Sequence, residues 1–340
     1  MLFVLDMKKL ILFLLSLFFG ICLSVFIYNL VGWQEIKNAF VNFGLMQGLT
    51  ILVLTLLITI LAVKRWQEIL KGGGEEISFF DAFKAYLAGF SIIFFAPVLF
   101  LGGEILRAYA LKEKYSVAWV KSIASIIIDR VLEWSVNLVV IILGALYFVG
   151  KVHLFPSGFI LPFGIALSFF IVIITLFYLR VFKKKSIIAF LGNAFNEDLN
   201  GEPQEIEKEI FSFFNGKKRL MWRVLILSVV RMFIMYVRTL ALIMFLGESI
   251  AMKNVLPVLS FNLLAATIPI PAATGAHELA QWIAFKSLKL KVSLSTAFVI
   301  ILRGAETIIA LVGLLILSRL GFDLLKNRLF KATNQFNRNE

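Results

Sequence analysis

Pro97-Val98-Leu99-Phe100-Leu101-Gly102-Gly103-Glu104 is the stretch that decides the fold. It interrupts an apolar segment, Phe83 to about Ala110, that is otherwise long enough to cross a bilayer. Proline removes a helical donor and glycine relaxes the backbone, so a helix entering here stops and restarts at membrane depth. The pattern returns once. Pro271-Ala272-Ala273-Thr274-Gly275-Ala276-His277-Glu278 again sets a proline seven residues before a glutamate. It lies in a second interrupted segment, about Val255 to Phe285, which also holds Pro269. Paired interrupted segments in corresponding halves of a chain point to the binding region of a transporter.

Six uninterrupted apolar spans surround these two segments: Leu10–Val31, Phe40–Val63, Val117–Val149, Phe159–Val181, Trp222–Leu246 and Ser293–Ser318. The composition agrees. Hydrophobic residues make up 60% of the 340 and charged residues 16%, against about 45–50% and 25% in soluble domains. The longest polar stretch, Lys183–Arg219, is too short to bury a core of its own, which excludes a separate soluble enzyme domain there. Lys8 and Lys9 precede the first span as in a signal peptide. That span is long for a cleaved leader and carries no small-x-small site, so a retained helix is expected. Cys22 is the single cysteine, so no internal disulfide forms.

The formal charge is +13. Its placement excludes a nucleic-acid partner, because the cations sit in loops beside apolar spans, as the positive-inside rule requires. They also decide whether the interrupted segments cross. If Phe83–Ala110 crossed, the block Arg180, Lys183, Lys184, Lys185, Lys217, Lys218, Arg219 and Arg223 would face outward. If both segments enter and return on one side, that block is cytoplasmic. With it lie Lys8, Lys9, Lys64, Arg65, Lys71, Lys112, Lys114, Lys121 and the tail cations Arg319, Lys326, Arg328, Lys331 and Arg338. Lys37, Lys151, Lys253, Lys286, Lys289 and Lys291 then face out. The expected fold is therefore an all-α integral membrane protein of six full transmembrane helices plus two re-entrant helical hairpins. It forms a single membrane domain, residues 1–340, in the cytoplasmic membrane with both termini cytoplasmic. Each half reads span, span, hairpin, span, and the halves start on opposite sides: an inverted-topology repeat, about 8–150 and about 158–319. A loop at about 182–221 carries Ile206, Ile210, Phe211, Phe213 and Phe214 as an apolar stripe, expected to lie on the cytoplasmic membrane surface. A cytoplasmic tail, 320–340, follows.

Side chains extend the repeat. Arg130-x-x-Glu133 lies in the third span and Arg303-x-x-Glu306 in the sixth. Glu104 precedes Arg130 by 26 residues and Glu278 precedes Arg303 by 25. Residues three apart share a helix face. A charge at mid-bilayer costs roughly 2.5–3.5 kcal/mol on insertion scales, so these groups face a cavity or a partner. Two readings stay open: each arginine pairs with its own glutamate and pins the bundle, or Arg130 and Arg303 meet near the midplane and attract a lipid phosphate. Asp129 has Arg231 or Arg238 as candidate partners, and those two share a face of the fifth span. The turns at Gly102-Gly103 and Gly275 start half-helices whose N–H groups suit a phosphate. Glu104 and Glu278 would cap those groups or neutralise the arginines. His277 is a proton-relay candidate or a simple polar contact.

Ala96-Pro97, Gly102-Gly103-Glu104, Arg107, Asp129-Arg130, Pro271, Gly275, Glu278 and Arg303 together resemble the membrane domain of lysylphosphatidylglycerol synthases and the bacterial and archaeal membrane proteins grouped with it. The resemblance covers almost the whole chain. It implies a flippase-like domain, which in bifunctional members stands beside a soluble domain that makes the lysyl lipid. Here the last span ends at Ser318 and the chain at Glu340, so a domain without synthase activity is expected. The family's second hairpin often reads Pro-Gly-Gly-x-Gly; Ala272 and Ala273 replace two of those glycines and imply a stiffer turn.

The expectation is thus a transporter, not an enzyme, with no cofactor or metal. Its partner would be a phospholipid, an aminoacylated lipid or a polyprenyl-phosphate-linked glycolipid within the bilayer. Arg130, Arg303, Glu133, Glu306, Glu104, Glu278, Gly102, Gly103 and Gly275 would form the site, with Arg107, Asp129, Arg231, Arg238 and His277 as further candidates. Alternatives are an intramembrane enzyme on lipid phosphates and an accessory subunit of a cell-envelope modification complex. Homo-oligomerisation stays open.

Overall fold

Both interruptions become breaks between packed helices. The computed structural model describes residues 7–41, 43–97, 102–151, 157–188, 201–268 and 270–336. These form α1 (Met7–Val31), α2 (Trp33–Ala39), α3 (Leu45–Gly72), α4 (Phe79–Phe95), α5 (Gly102–Tyr115) and α6 (Trp119–Lys151) in the first half. The second half has α7 (Ser157–Phe182), α8 (Glu202–Gly216), α9 (Lys218–Phe245), α10 (Met252–Ala265), α11 (Ala276–Ser287) and α12 (Val292–Phe336). No strand occurs among the described residues.

The local chemistry of the first break is visible in its residues. Ser78 caps α4, its hydroxyl accepting the Asp81 N–H at 3.2 Å, and α4 ends at Phe95 with Ala96, the residue before Pro97, as its C-cap. After the break α5 packs back on α4. A Cβ on Gly89 or Gly103 would collide with the other's carbonyl oxygen, so backbone meets backbone. At the open end Ser78 and Tyr115 donate to the Asp81 carboxylate, which holds its carboxyl below the usual range. Burial, and then Asp81, pushes the Tyr115 phenol up.

In the second break Pro271–Ala273 makes one 3-10 turn with Ala272 at φ 52° and Ala273 at φ 45°. Those left-handed values favour glycine, so the two alanines hold a strained turn. Gly275, at φ 81°, then caps α11. Gln281 Nε2 on α11 donates to the Val258 carbonyl on α10 at 3.1 Å, tying the returning helix to its partner. Pro269 lies outside the described residues.

Helix packing follows one scheme. α3 runs along α9; α4 packs on α12 as α10 packs on α6; α5 meets α6 as α11 meets α12. Exchanging α3 with α9, α4 with α10, α5 with α11 and α6 with α12 leaves these contacts unchanged. Two helices break the scheme: α1 lies on α11 and the turn before it, whereas α7 packs on α6 and α8. Buried cores fill the interfaces: Trp66, Tyr86 and Leu111 among α3, α4 and α5, and Ile51, Leu242, Phe285 and Phe298 among α3, α9, α11 and α12.

Among the described residues, five helical segments are long and apolar enough to cross a membrane: Phe13–Val31, Leu45–Gly72, Trp119–Phe148, Lys218–Phe245 and Val292–Arg319. The sixth expected span folds as α7, whose described apolar part runs Phe170–Phe182. Phe18, Phe19, Leu45, Met46 and Phe233 point outward; such a surface is an aggregation hazard in water and is solvated by lipid tails in a bilayer.

Two expectations need correction. The second span is not Phe40–Val63: α3 starts at Leu45 and continues to Gly72, carrying Arg65 into the bundle. The stripe of the 182–221 loop does not rest on the membrane surface. α8 buries Ile210, Phe213 and Phe214 against Ile69, Ala124, Ile128 and Val181. Its Glu207 accepts hydrogen bonds from Ser186 and from the Ile187 and Ile188 N–H groups, tying the helix to the end of α7.

Candidate functional site

Among the described residues, six arginines within the spans and the carboxylates they hold form two clusters. The first joins α3, α5, α6 and α9. Arg65 Nε donates to Asp129 at 2.7 Å and its Nη2 to Glu133 at 3.2 Å. Arg107 donates to Glu104 at 3.2 Å and to Asp129 at 3.3 Å, with its guanidinium 4.1 Å from the Trp66 ring centre and 4.6 Å from that of Tyr86. Arg130 Nε donates to Glu104 and its Nη1 to Glu133 at 2.7 Å. Arg231 reaches Glu133 at 2.8 Å. Four arginines thus share three carboxylates. Arg65 and Arg107 are 1% exposed, whereas Arg130 retains 30% of its side chain accessible.

The second cluster joins α9, α12 and the strained turn. Arg303 Nη1 donates to Glu306 and its Nη2 to the Ala272 carbonyl, while the guanidinium lies 4.4 Å from the Phe94 ring centre. Arg238 donates to Glu306 at 3.3 Å. Two arginines share one carboxylate, and Arg303 is 19% exposed. Glu278 is held elsewhere. It accepts the Gly275 N–H at 2.7 Å, the Ser24 hydroxyl at 3.1 Å and the Tyr28 hydroxyl at 3.2 Å.

One reciprocal contact ties the clusters to the packing scheme. Arg65 on α3 donates to Ser228 on α9 at 3.4 Å, and Arg238 on α9 donates to Thr55 on α3 at 3.1 Å. Thr55 precedes Arg65 by ten residues, as Ser228 precedes Arg238.

The residues singled out from sequence are distributed as follows. Arg130, Glu133, Glu104, Arg107, Asp129 and Arg231 come together in the first cluster; Arg303, Glu306 and Arg238 come together in the second. Asp129 answers Arg65 and Arg107, not Arg231 or Arg238. Arg130 and Arg303 share no carboxylate: Arg130 holds Glu104 and Glu133, and Arg303 holds Glu306. The clusters meet α9 at Arg231 and Arg238, two turns apart, about 10 Å along the axis at 1.5 Å per residue. Gly102 opens α5 and Gly103 is the contact with α4. Gly275 caps α11, and its own N–H is already taken by Glu278. His277 is 2% exposed, and neither ring nitrogen has a hydrogen-bond partner.

Arg65 was missed. Counted among loop cations, it is the most buried arginine beside Arg107. Its signal was the matched Thr55-to-Arg65 and Ser228-to-Arg238 spacing. Ser24 and Tyr28 carried no signal, because their contact to Glu278 closes from the far end of the chain.

Membrane-length apolar helices enclosing buried ion pairs define an integral, multi-pass, all-helical membrane protein. The chain belongs to the lysylphosphatidylglycerol synthase transmembrane-region family, whose model matches residues 13–313. It is 23% identical over 325 residues to a UPF0104 membrane protein of Methanocaldococcus jannaschii, covering 92% of this chain and 96% of that relative. No solved structure matches it.

Proposed function

We propose that the protein is a flippase-like transporter of a phosphate-bearing lipid across the cytoplasmic membrane, not an enzyme. One observation carries this: each buried cluster holds one arginine more than it holds carboxylates. An excess cation at membrane depth calls for an anion. Arg130 and Arg303 are the most exposed arginines of their clusters, and the clusters meet α9 at different depths, so they serve as successive stations for one headgroup. A guanidinium binds carboxylate and phosphate alike through paired hydrogen bonds, so the phosphate exchanges with Glu104, Glu133 or Glu306. Lysine keeps the charge and loses that fork. A phospholipid, an aminoacylated lipid and a polyprenyl-phosphate-linked glycolipid all carry the required group.

The architecture in this proposal is six transmembrane helices with α4–α5 and α10–α11 as re-entrant hairpins. The halves are related by a two-fold axis in the membrane plane and rock around the clusters. The exchange-invariant packing and the reciprocal Arg65–Ser228 and Arg238–Thr55 contacts support it. Both termini and the 182–221 loop then face the cytoplasm. The test is movement of fluorescent lipids, anionic and zwitterionic, in vesicles reconstituted with folded protein. Arg130→Gln and Arg303→Gln should each abolish movement of the transported lipid. Parent rates in both variants would make the arginines structural.

A second reading, an accessory subunit, is favoured by one observation: all six arginines of the clusters already have a carboxylate partner. Under it the same variants would lose stability, and the wild type would move no lipid.

A further inference from the structure

The two halves treat one atom differently. Arg130 Nε donates to Glu104. Its counterpart by the matched spacing is Arg303, whose Nε is buried without a partner. The counterpart of Glu104 is Glu278, which sits one helix away on Gly275 N–H, Ser24 and Tyr28. Arg303 therefore lacks the carboxylate that Arg130 receives from α5, while Glu278 is held by two hydroxyls of α1 and the Gly275 N–H. Two further observations mark the same place. His277, one residue before Glu278, has both ring nitrogens unpartnered, and so does Arg238 Nε, beside Arg303 on the shared Glu306. Buried donors without partners are costly, at about 1–3 kcal/mol each, and call for an explanation.

We propose that Arg303 Nε is an oxyanion position for a phosphate ester, and that Ser24 and Tyr28 keep it available by holding Glu278 away from it. The proposal deepens the transport reading and rests on it. Glu104 shows the chemistry at the equivalent position of the first half: a carboxylate oxygen on the arginine Nε, while Nη1 of the same guanidinium holds Glu133. In the second half a phosphate oxygen takes that place, and a second oxygen reaches His277. Glu278 is the internal competitor. Freed from the two hydroxyls, it turns onto Arg303 and closes the site, as Glu104 closes its own. α1 is suited to the task, because it lies against α11 and the strained turn while most of its surface faces lipid.

The experiment measures binding by calorimetry in phosphatidylcholine nanodiscs with two probes, dioctanoyl phosphatidic acid and glycerol 3-phosphate. The wild type should bind phosphatidic acid. Equal binding of glycerol 3-phosphate identifies a site for phosphate esters generally; binding of the lipid alone identifies a headgroup site. Either supports the oxyanion position. The double variant Ser24→Ala/Tyr28→Phe should bind about tenfold more weakly, the worth of a hydrogen bond to a charged group. Adding Glu278→Gln should restore the wild-type affinity, because glutamine caps Gly275 and cannot form an ion pair with Arg303. Glu278→Gln alone should bind at least as tightly as the wild type, and this variant decides the matter should the double variant not fold. Undiminished binding in the double variant, no rescue by Glu278→Gln, or weaker binding in Glu278→Gln alone overturns the hydroxyl gate and leaves the transport reading standing. A wild type that binds neither probe overturns both.

Discussion

The first cluster is crowded and the second is sparse. Arg107 lies between Glu104 and Asp129 under two aromatic rings; its counterpart by spacing is Gln281, which bonds a backbone carbonyl. Asp129 corresponds to Leu302, a buried core residue. Arg130 holds two carboxylates, Arg303 one carboxylate and one carbonyl. Both clusters leave buried donors unpartnered, Arg107 Nε and Arg231 Nε in the first and Arg238 Nε and Arg303 Nε in the second, but among the described residues only the second half has an unpartnered histidine, His277, next to Glu278. A densely cross-linked network fixes one arrangement, since moving any member disturbs several ion pairs. A network with one carboxylate has fewer ion pairs to break when partners are exchanged. Under the transport reading the first cluster anchors the bundle and the second exchanges partners.

The sharpest way to break the comparison is topological. In a background with Cys22→Ser, cysteines at 184 and 253 should label from opposite sides with an impermeant reagent. Labelling from one side removes the inverted repeat and, with it, the equivalence of the clusters. Next in size is Asp129→Asn, which leaves Arg65 with Glu133 alone and Arg107 with Glu104 alone and should cost about 3 kcal/mol of stability in a melting experiment. A loss under 1 kcal/mol would contradict the anchoring role. Gly275→Ala forces a left-handed φ and drives a Cβ to 2.6 Å from the Gly20 carbonyl oxygen. About 1–3 kcal/mol should be lost, with α1 loosened from α11, which hydrogen exchange in α1 would detect. The smallest effect is a gain. Ala272→Gly relieves a φ of 52° and should raise stability by about 0.5–1 kcal/mol; a loss would show that the alanine methyl packs usefully.

Much of this was legible in the residues. Pro97 and Gly102-Gly103 located the first break, Pro271 and Gly275 the second, because those residue types act locally. Arg130, Glu133, Arg303 and Glu306 stood out because charge inside an apolar span is costly wherever it sits. Arg65 did not, because it follows the apolar part of α3 beside Lys64 and Glu68, where cations ordinarily reach for the membrane surface. α8 was recognised as amphipathic, but the same stripe serves a bilayer surface or a protein groove, and only packing separates the two. The hold of Ser24 and Tyr28 on Glu278 spans some 250 residues and left no periodic trace.

The central claim is that a phosphate-bearing lipid engages the second cluster, and native mass spectrometry of gently purified protein tests it most directly. The wild type should carry a phosphorus-containing lipid adduct that survives detergent exchange and is lost in Arg303→Gln, with the variant folded and monodisperse. An adduct retained equally by Arg303→Gln, or a wild type that carries no phosphorus-containing lipid, would contradict it.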